Sequence, residues 1–261
     1  MVGTMKILNI LLICFIATNL SVDLVNGQES RIVGGNTAVE RQFPYVVSIR
    51  RNGEHVCGGV IISKNFILTA GRCVVKSFAN NAIESYSPSE FNVRAGSLSL
   101  YEQGVLARVA EIKVHNNYTN MLNDLALLKL KEPLIFSDYI QAITLPYYAP
   151  SLNTVVHVPG WGLHKTSGDV NRYLKHLSME VVDTTKCLSY LYGEDADASL
   201  LCLQYNAGGI CTGDVGGPAV YENELVGLAS FSIERCGSEY PDGFTNIAHY
   251  LKWIRENSDL N

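Results

Sequence analysis

Short apolar runs, separated by turn formers, fill most of the chain. They fall at 46–49, 60–67, 91–93, 109–114, 126–130, 154–158, 179–182, 219–221, 225–230 and 243–247. Runs of that length, rich in branched residues, predict strands, and their spacing predicts an all-β sandwich or barrel. One segment breaks the pattern. Tyr250, Leu251, Trp253 and Ile254 share a helical stripe within 248–257, while Lys252 and Glu256 would interrupt any strand alternation, so a helix is predicted at the carboxyl end. No internal repeat or long linker is visible. The amino end differs again: Lys6 precedes an apolar run at 7–17, too short to span a bilayer and placed where a secretory signal sits. A cut after Gly27 fits the compact residues Val25 and Gly27, with a cut nearer Ala17 as the alternative. No second apolar stretch approaches membrane length. The expectation is a signal at 1–27 and a secreted, extracellular, soluble protein.

Composition narrows the classes. A chain of 261 residues, 47% hydrophobic and 17% charged, can bury one large β core or two smaller ones and is not disordered. Its 25 acidic and 20 basic side chains leave a net charge of -5, a poor match for nucleic acid, heparin or an anionic membrane. Seven cysteines are present. Cys14 leaves with the signal, so Cys57, Cys73, Cys187, Cys202, Cys211 and Cys236 remain. An even number in an oxidising compartment predicts three disulfides, although spacing alone allows fifteen pairings. Clustered Cys-x-x-Cys or His-x-x-x-His pairs are absent from the sequence, so no structural metal is expected.

Several motifs then occur in order. They are Arg31-Ile32-Val33-Gly34-Gly35, Phe43-Pro44-Tyr45, Cys57-Gly58-Gly59, Pro159-Gly160-Trp161-Gly162 and the stripe from Tyr250 to Ile254. Together they resemble the chymotrypsin-like (trypsin superfamily) serine proteases across residues 32–261. The resemblance implies two antiparallel six-stranded β-barrels with a C-terminal helix, a boundary near 135–145 and a site in the cleft between them. It also implies an activation peptide at 28–31 and the pairing Cys57–Cys73, Cys187–Cys202 and Cys211–Cys236. Loops of that size contribute on the order of 3 kcal/mol per disulfide by restricting the unfolded chain. Between 95 and 109 the lone carboxylate is Glu102, too few oxygen ligands for the family's calcium loop. No cofactor is expected.

The chemistry departs from the family. Peptide cleavage there needs a serine hydroxyl, a histidine that takes its proton and a buried aspartate that orients the histidine. The histidine position, in Thr69-Ala70-Gly71-Arg72-Cys73, holds Arg72, a guanidinium that stays protonated and cannot act as a general base. The serine position, in Gly213-Asp214-Val215-Gly216-Gly217-Pro218, holds Val215, which offers no nucleophile. Only the orienting acid remains, as Asp124. In subtilisin, loss of either serine or histidine alone costs about a million-fold in turnover. No serine flanks Val215 closely, and His55 falls where the family often has a structural histidine.

Much of the frame is retained. Gly213 and the backbone N–H of Val215 match the oxyanion pocket, which uses main chain. Ser230 matches the serine that contacts the buried aspartate, so Arg72 is expected to pair with Asp124 and Ser230; the alternative is an arginine bent out into the cleft. Arg31, Ile32 and Asp214 match the activation switch, in which a new isoleucine ammonium pairs with the aspartate, although an inherited, idle junction has the same sequence. At the specificity pocket, Gly209 stands where trypsin-like members carry aspartate. Ser230-Phe231-Ser232 forms the wall, with Ser232 narrowing the entrance, and Asp242 falls near the far wall and leaves some preference for cations. Asn117-Tyr118-Thr119 is a glycosylation sequon in an expected surface loop.

The reading is a secreted serine protease homologue without catalysis, most similar to arthropod members of that kind. Its expected role is to bind or regulate an extracellular protein or peptide, such as an active protease or zymogen of a proteolytic cascade, including those of innate immunity. An active endopeptidase with an unorthodox mechanism and an adhesive or storage glycoprotein are the alternatives.

Overall fold

The computed structural model describes residues 35–79, 82–119, 121–163, 169–188, 198–205 and 208–260. Its strands are β1 (Asn36–Thr37), β2 (Val46–Arg51), β3 (Glu54–Ile61), β4 (Phe66–Thr69), β5 (Val75–Ala79), β6 (Ala82–Ser85), β7 (Phe91–Ala95) and β8 (Val105–Val114). Then follow β9 (Ala126–Leu130), β10 (Val155–Gly160), β11 (Lys175–Val182), β12 (Leu200–Gln204), β13 (Pro218–Tyr221), β14 (Glu224–Phe231) and β15 (Asp242–Asn246). Among the described residues two α-helices, α1 (Thr185–Leu188) and α2 (Ile247–Glu256), and two 3₁₀ turns, Gly71–Cys73 and Pro88–Glu90, complete the set.

Two closed six-stranded antiparallel barrels result. The first runs β2-β3-β4-β9-β8-β7; in the second, β11-β10-β13-β14-β15-β12 closes through β11 and β12, with β1 added at β11. Side chains alternate across a strand, and in β2, β3, β4 and β9 of the first barrel both faces are largely buried. Val47, Ile49, Ile61, Ile67 and Leu128 fill its interior. Their neighbours Val46, Val60, Leu68 and Leu127 turn outward into a core shared with Trp161, Leu228 and Tyr250. That second burial explains why these strands read as continuous apolar runs instead of alternating ones. Each fully buried leucine there contributes about 2 kcal/mol of transfer free energy. The helix α2 enters the same core with Ile247, Tyr250 and Ile254, one side of a 3.6-residue period.

The run at 60–67, read from sequence as one strand, is a hairpin. β3 ends at Ile61 and β4 starts at Phe66. Between them the Ser63 hydroxyl accepts from the N–H of Asn65 and of Phe66, both at 3.1 Å, a side-chain-closed turn hidden inside an apolar run. β1, β5, β6 and β12 have no counterpart among the sequence-predicted strands. The six remaining cysteines are joined as Cys57–Cys73, Cys187–Cys202 and Cys211–Cys236, the pairing that the resemblance implies.

Candidate functional site

Arg72 sits on a single 3₁₀ turn, Gly71–Cys73, directly after β4. The turn is pinned by the Cys57–Cys73 disulfide and by Tyr118, whose ring would lie 2.8 Å from a Cβ at position 71. Glycine is therefore the residue that lets this loop close. From there Arg72 turns inward. Its backbone N–H donates to Asp124 Oδ1 at 2.9 Å, Nε to Oδ2 at 2.6 Å and Nη2 to Ser230 Oγ at 3.2 Å. Ser230 Oγ donates to Asp124 Oδ2 at 2.6 Å. Thr245 Oγ1 donates to the Asp124 carbonyl at 3.0 Å. Tyr250 Oη donates to Asn123 Oδ1 at 3.0 Å, which holds the residue before Asp124 at φ 53°. The Asp124 side chain is fully buried and that of Arg72 is 28% exposed. A buried carboxylate is tolerated when it is paired and hydrogen-bonded, and here both oxygens are.

Val215 is half-buried and packs against the first-barrel core that contains Cys57 and Cys73. Its carbonyl accepts from Gly58 N at 2.8 Å, and Gly216 N donates to Ala229 O at 2.7 Å. The turn is wedged so tightly that a Cβ at Gly216 would lie 2.2 Å from Thr69 Oγ1. Gly213 and Gly216 take positive φ, 99° and 80°. The turn therefore keeps a fixed backbone although Val215 brings no hydroxyl to it.

His55 lies behind this turn, not in the cleft chemistry. Its Nε2 meets the Gly213 carbonyl at 3.1 Å and its Nδ1 meets Ser48 Oγ at 2.8 Å. A carbonyl only accepts, so the proton is on Nε2 and Ser48 donates to Nδ1. Burial pushes the imidazole down to about 4, which keeps it neutral. Ser48 was not singled out by sequence; a hydroxyl between Val47 and Ile49 in a fully buried strand was the available signal.

Asp214 is buried in a cradle of glycines. Gly162 N donates to Oδ1 at 2.7 Å and Cys211 N to Oδ2 at 3.0 Å. A Cβ at Gly160 or Gly162 would lie 2.0 or 2.1 Å from its oxygens. Burial pushes the carboxyl up to about 7, against the two backbone hydrogen bonds. Among the described residues Asp214 has no ion-pair partner. Arg31 and Ile32 lie outside the described residues.

Asp242, at the start of β15, faces Gly209: a Cβ there would lie 2.4 Å from Asp242 Oδ2. Ile210 N donates to the same oxygen at 2.8 Å. Burial pushes this carboxyl up to about 8, and the charge of Asp214 adds to the rise. The Phe231 ring covers Gly243, with Cζ 2.2 Å from the place of a Cβ, and is buried against Cys187, Leu200, Cys202 and Ile233. Ser232 is half-buried and Asn117 is exposed. Among the described residues no three His, Cys, Asp or Glu side chains are grouped to hold a metal ion.

Residues 32–254 match the family profile described as Trypsin. The chain is 33% identical over 247 residues to trypsin alpha of Drosophila melanogaster, covering 93% of each. It is 37% identical over 229 residues to serine protease SP24D of Anopheles gambiae, covering 87% of this chain and 81% of that one. Among solved structures, human heparin binding protein is similar, with a TM-score of 0.73 at 28% identity, covering 88% of this chain and 99% of that one. Mouse neuropsin, a serine protease, has a TM-score of 0.75 at 24% identity, covering 85% and 97%, a likeness of fold.

Proposed function

This chain belongs to the trypsin family of serine proteases, and from that premise we propose that it is a secreted, noncatalytic member that binds an extracellular protein or peptide in its cleft. The observation that carries the reading is the Arg72–Asp124 contact of 2.6 Å. A permanently charged guanidinium occupies the place from which a proton acceptor would serve a nucleophile, and the nucleophile's place holds Val215. Neither step of covalent acyl transfer has a donor group there. The positively polarised backbone at Gly213 and Val215 suits a carbonyl oxygen, and the edge at Ser230–Ser232, where β14 ends, suits an extended peptide. Asp242, near the far wall of the pocket, favours a basic side chain.

Secretion is supported by three disulfides and by the apolar run at 7–17. Among the described residues no helix is long and apolar enough to cross a membrane. The partner in this reading is an active protease or zymogen of an extracellular cascade. Heparin, the ligand named for one structural relative, is disfavoured by the net charge of -5.

Covalent labelling by a fluorophosphonate tests the reading on protein cleaved after Arg31. The natural protein is expected to stay unlabelled, and an Arg72→His/Val215→Ser variant is expected to label. Stoichiometric labelling of the natural protein would make it an enzyme and overturn the proposal.

A further inference from the structure

A cavity of about 290 Å³ lies away from the cleft and shares no residue with it. Its floor is apolar, with Phe43, Val46 and Leu174 buried and Leu98 half-buried. The volume is at the small end of ligand sites, about 300 Å³, and suits one long side chain better than a cofactor.

The walls are rigid. The Leu98 carbonyl accepts from both the Trp161 indole and the Leu174 N–H at 2.8 Å. Ser97 Oγ donates to the Glu102 carbonyl at 2.6 Å, and Ser99 Oγ accepts from Tyr101 N and Glu102 N at 3.2 and 3.3 Å. Two non-glycine residues at the mouth, Arg41 and Gln103, are held at φ 64° and 58°, a conformation that costs on the order of 1 kcal/mol and persists only where the surroundings impose it.

The charges at the mouth do not balance. Arg41 pairs with Asp138 at 3.5 Å and lies 4.9 Å from the centre of the Tyr139 ring. Arg172 pairs with Glu102. Glu40 lies within ion-pair distance of no cation among the described residues, although its charge is felt by the neighbouring Arg41 guanidinium. It accepts one long hydrogen bond, from Tyr139 Oη at 3.4 Å. Both guanidiniums are thus committed, and the carboxylate left over faces the cavity. An anionic ligand would find Arg41 and Arg172 already paired, while an ammonium or guanidinium would find Glu40.

We propose that this cavity is a second binding site, which takes the lysine or arginine side chain of a partner protein. The aliphatic stem lies on Phe43, Leu98 and Leu174, and the charged head stays at the mouth beside Glu40 and Tyr139, as long basic side chains prefer. The site stands independently of the cleft reading, so either can fail alone.

Methyl NMR of the full protein, titrated with N-acetyl-lysine methylamide and its uncharged counterpart N-acetyl-norleucine methylamide, tests it. The lysine probe should shift the methyls of Val46, Leu98 and Leu174 saturably, and the norleucine probe should bind about tenfold more weakly. Glu40→Gln, an exposed change that leaves the fold intact, should remove that preference, and Asp242→Asn should leave it unchanged. Equal binding of the two probes, an indifferent Glu40→Gln, or shifts confined to the surroundings of Gly209 and Asp242 would each overturn the proposal.

Discussion

Two buried carboxylates, Asp124 and Asp214, are satisfied in different ways. Asp124 has a guanidinium built into the chain at 2.6 Å and a hydroxyl beside it. Asp214 has two backbone N–H donors and, among the described residues, no cation. The first is complete as soon as the barrels close. In the second, burial favours the protonated carboxyl and pushes it up to about 7. On the proposed activation, the second would gain its cation only when the chain is cut after Arg31.

The largest expected effect breaks the first half of the comparison. Arg72→Ala leaves Asp124 buried and unpaired, which should cost about 3–5 kcal/mol. In a domain of this size that lowers the melting temperature by roughly 10 °C in calorimetry. An unchanged melting temperature would mean that the pair contributes nothing net.

The second half is sharpened by pH. Asp214 has a folded pKa raised well above its ordinary value, so the folded state holds a proton that the unfolded state has released. Its contribution is fully present below about pH 4 and is lost as pH rises to about 7, by up to roughly 4 kcal/mol. His55, lowered to about 4, works in the opposite direction over part of that range, so its stabilising share is lost as pH falls below about 6.5. Denaturant melts of uncleaved wild type and Asp214→Asn across pH 4–8 separate the two. The variant should gain on wild type as pH rises. Cleavage after Arg31 should abolish that gain if the new ammonium reaches Asp214, because a paired carboxylate no longer favours the proton.

A smaller effect concerns Asp242. A basic peptide in the cleft must ionise this carboxyl, so its affinity should increase about tenfold as pH rises from 7 to above 8, and Asp242→Asn should flatten the profile in calorimetric titration. The smallest is Val215→Ser. The side chain is half-buried, so the change should cost under about 1.5 kcal/mol. With Arg72 still in place, the new serine should remain unlabelled by the fluorophosphonate.

Legibility from sequence followed how local each feature is. Arg72 and Val215 are fixed by neighbours, Cys73 on one side and Gly216-Gly217-Pro218 on the other, so their positions could be read by counting. The helix α2 announced itself through Tyr250 and Ile254. The turn at Ser63 could not be read, because both flanking strands bury both faces and merge into one apolar run. Strands β5 and β6 pair only with each other among the described residues and carry no clean alternation. Non-local contacts were legible only where the resemblance carried them, as for Arg72 with Asp124 and Ser230; His55 against the Gly213 carbonyl and Glu40 at the mouth of its cavity are brought together only by barrel closure.

The inward grip on Arg72 also bears on descent. On the noncatalytic reading, a histidine regained at position 72 would find no hydroxyl to activate, and a serine regained at 215 would find no base. Neither step alone gives selection anything to favour, and the first surrenders a stabilising contact. Such a cleft is held in its silent state by a ratchet, so its further divergence is expected to follow the surfaces that meet partners and not a path back to hydrolysis.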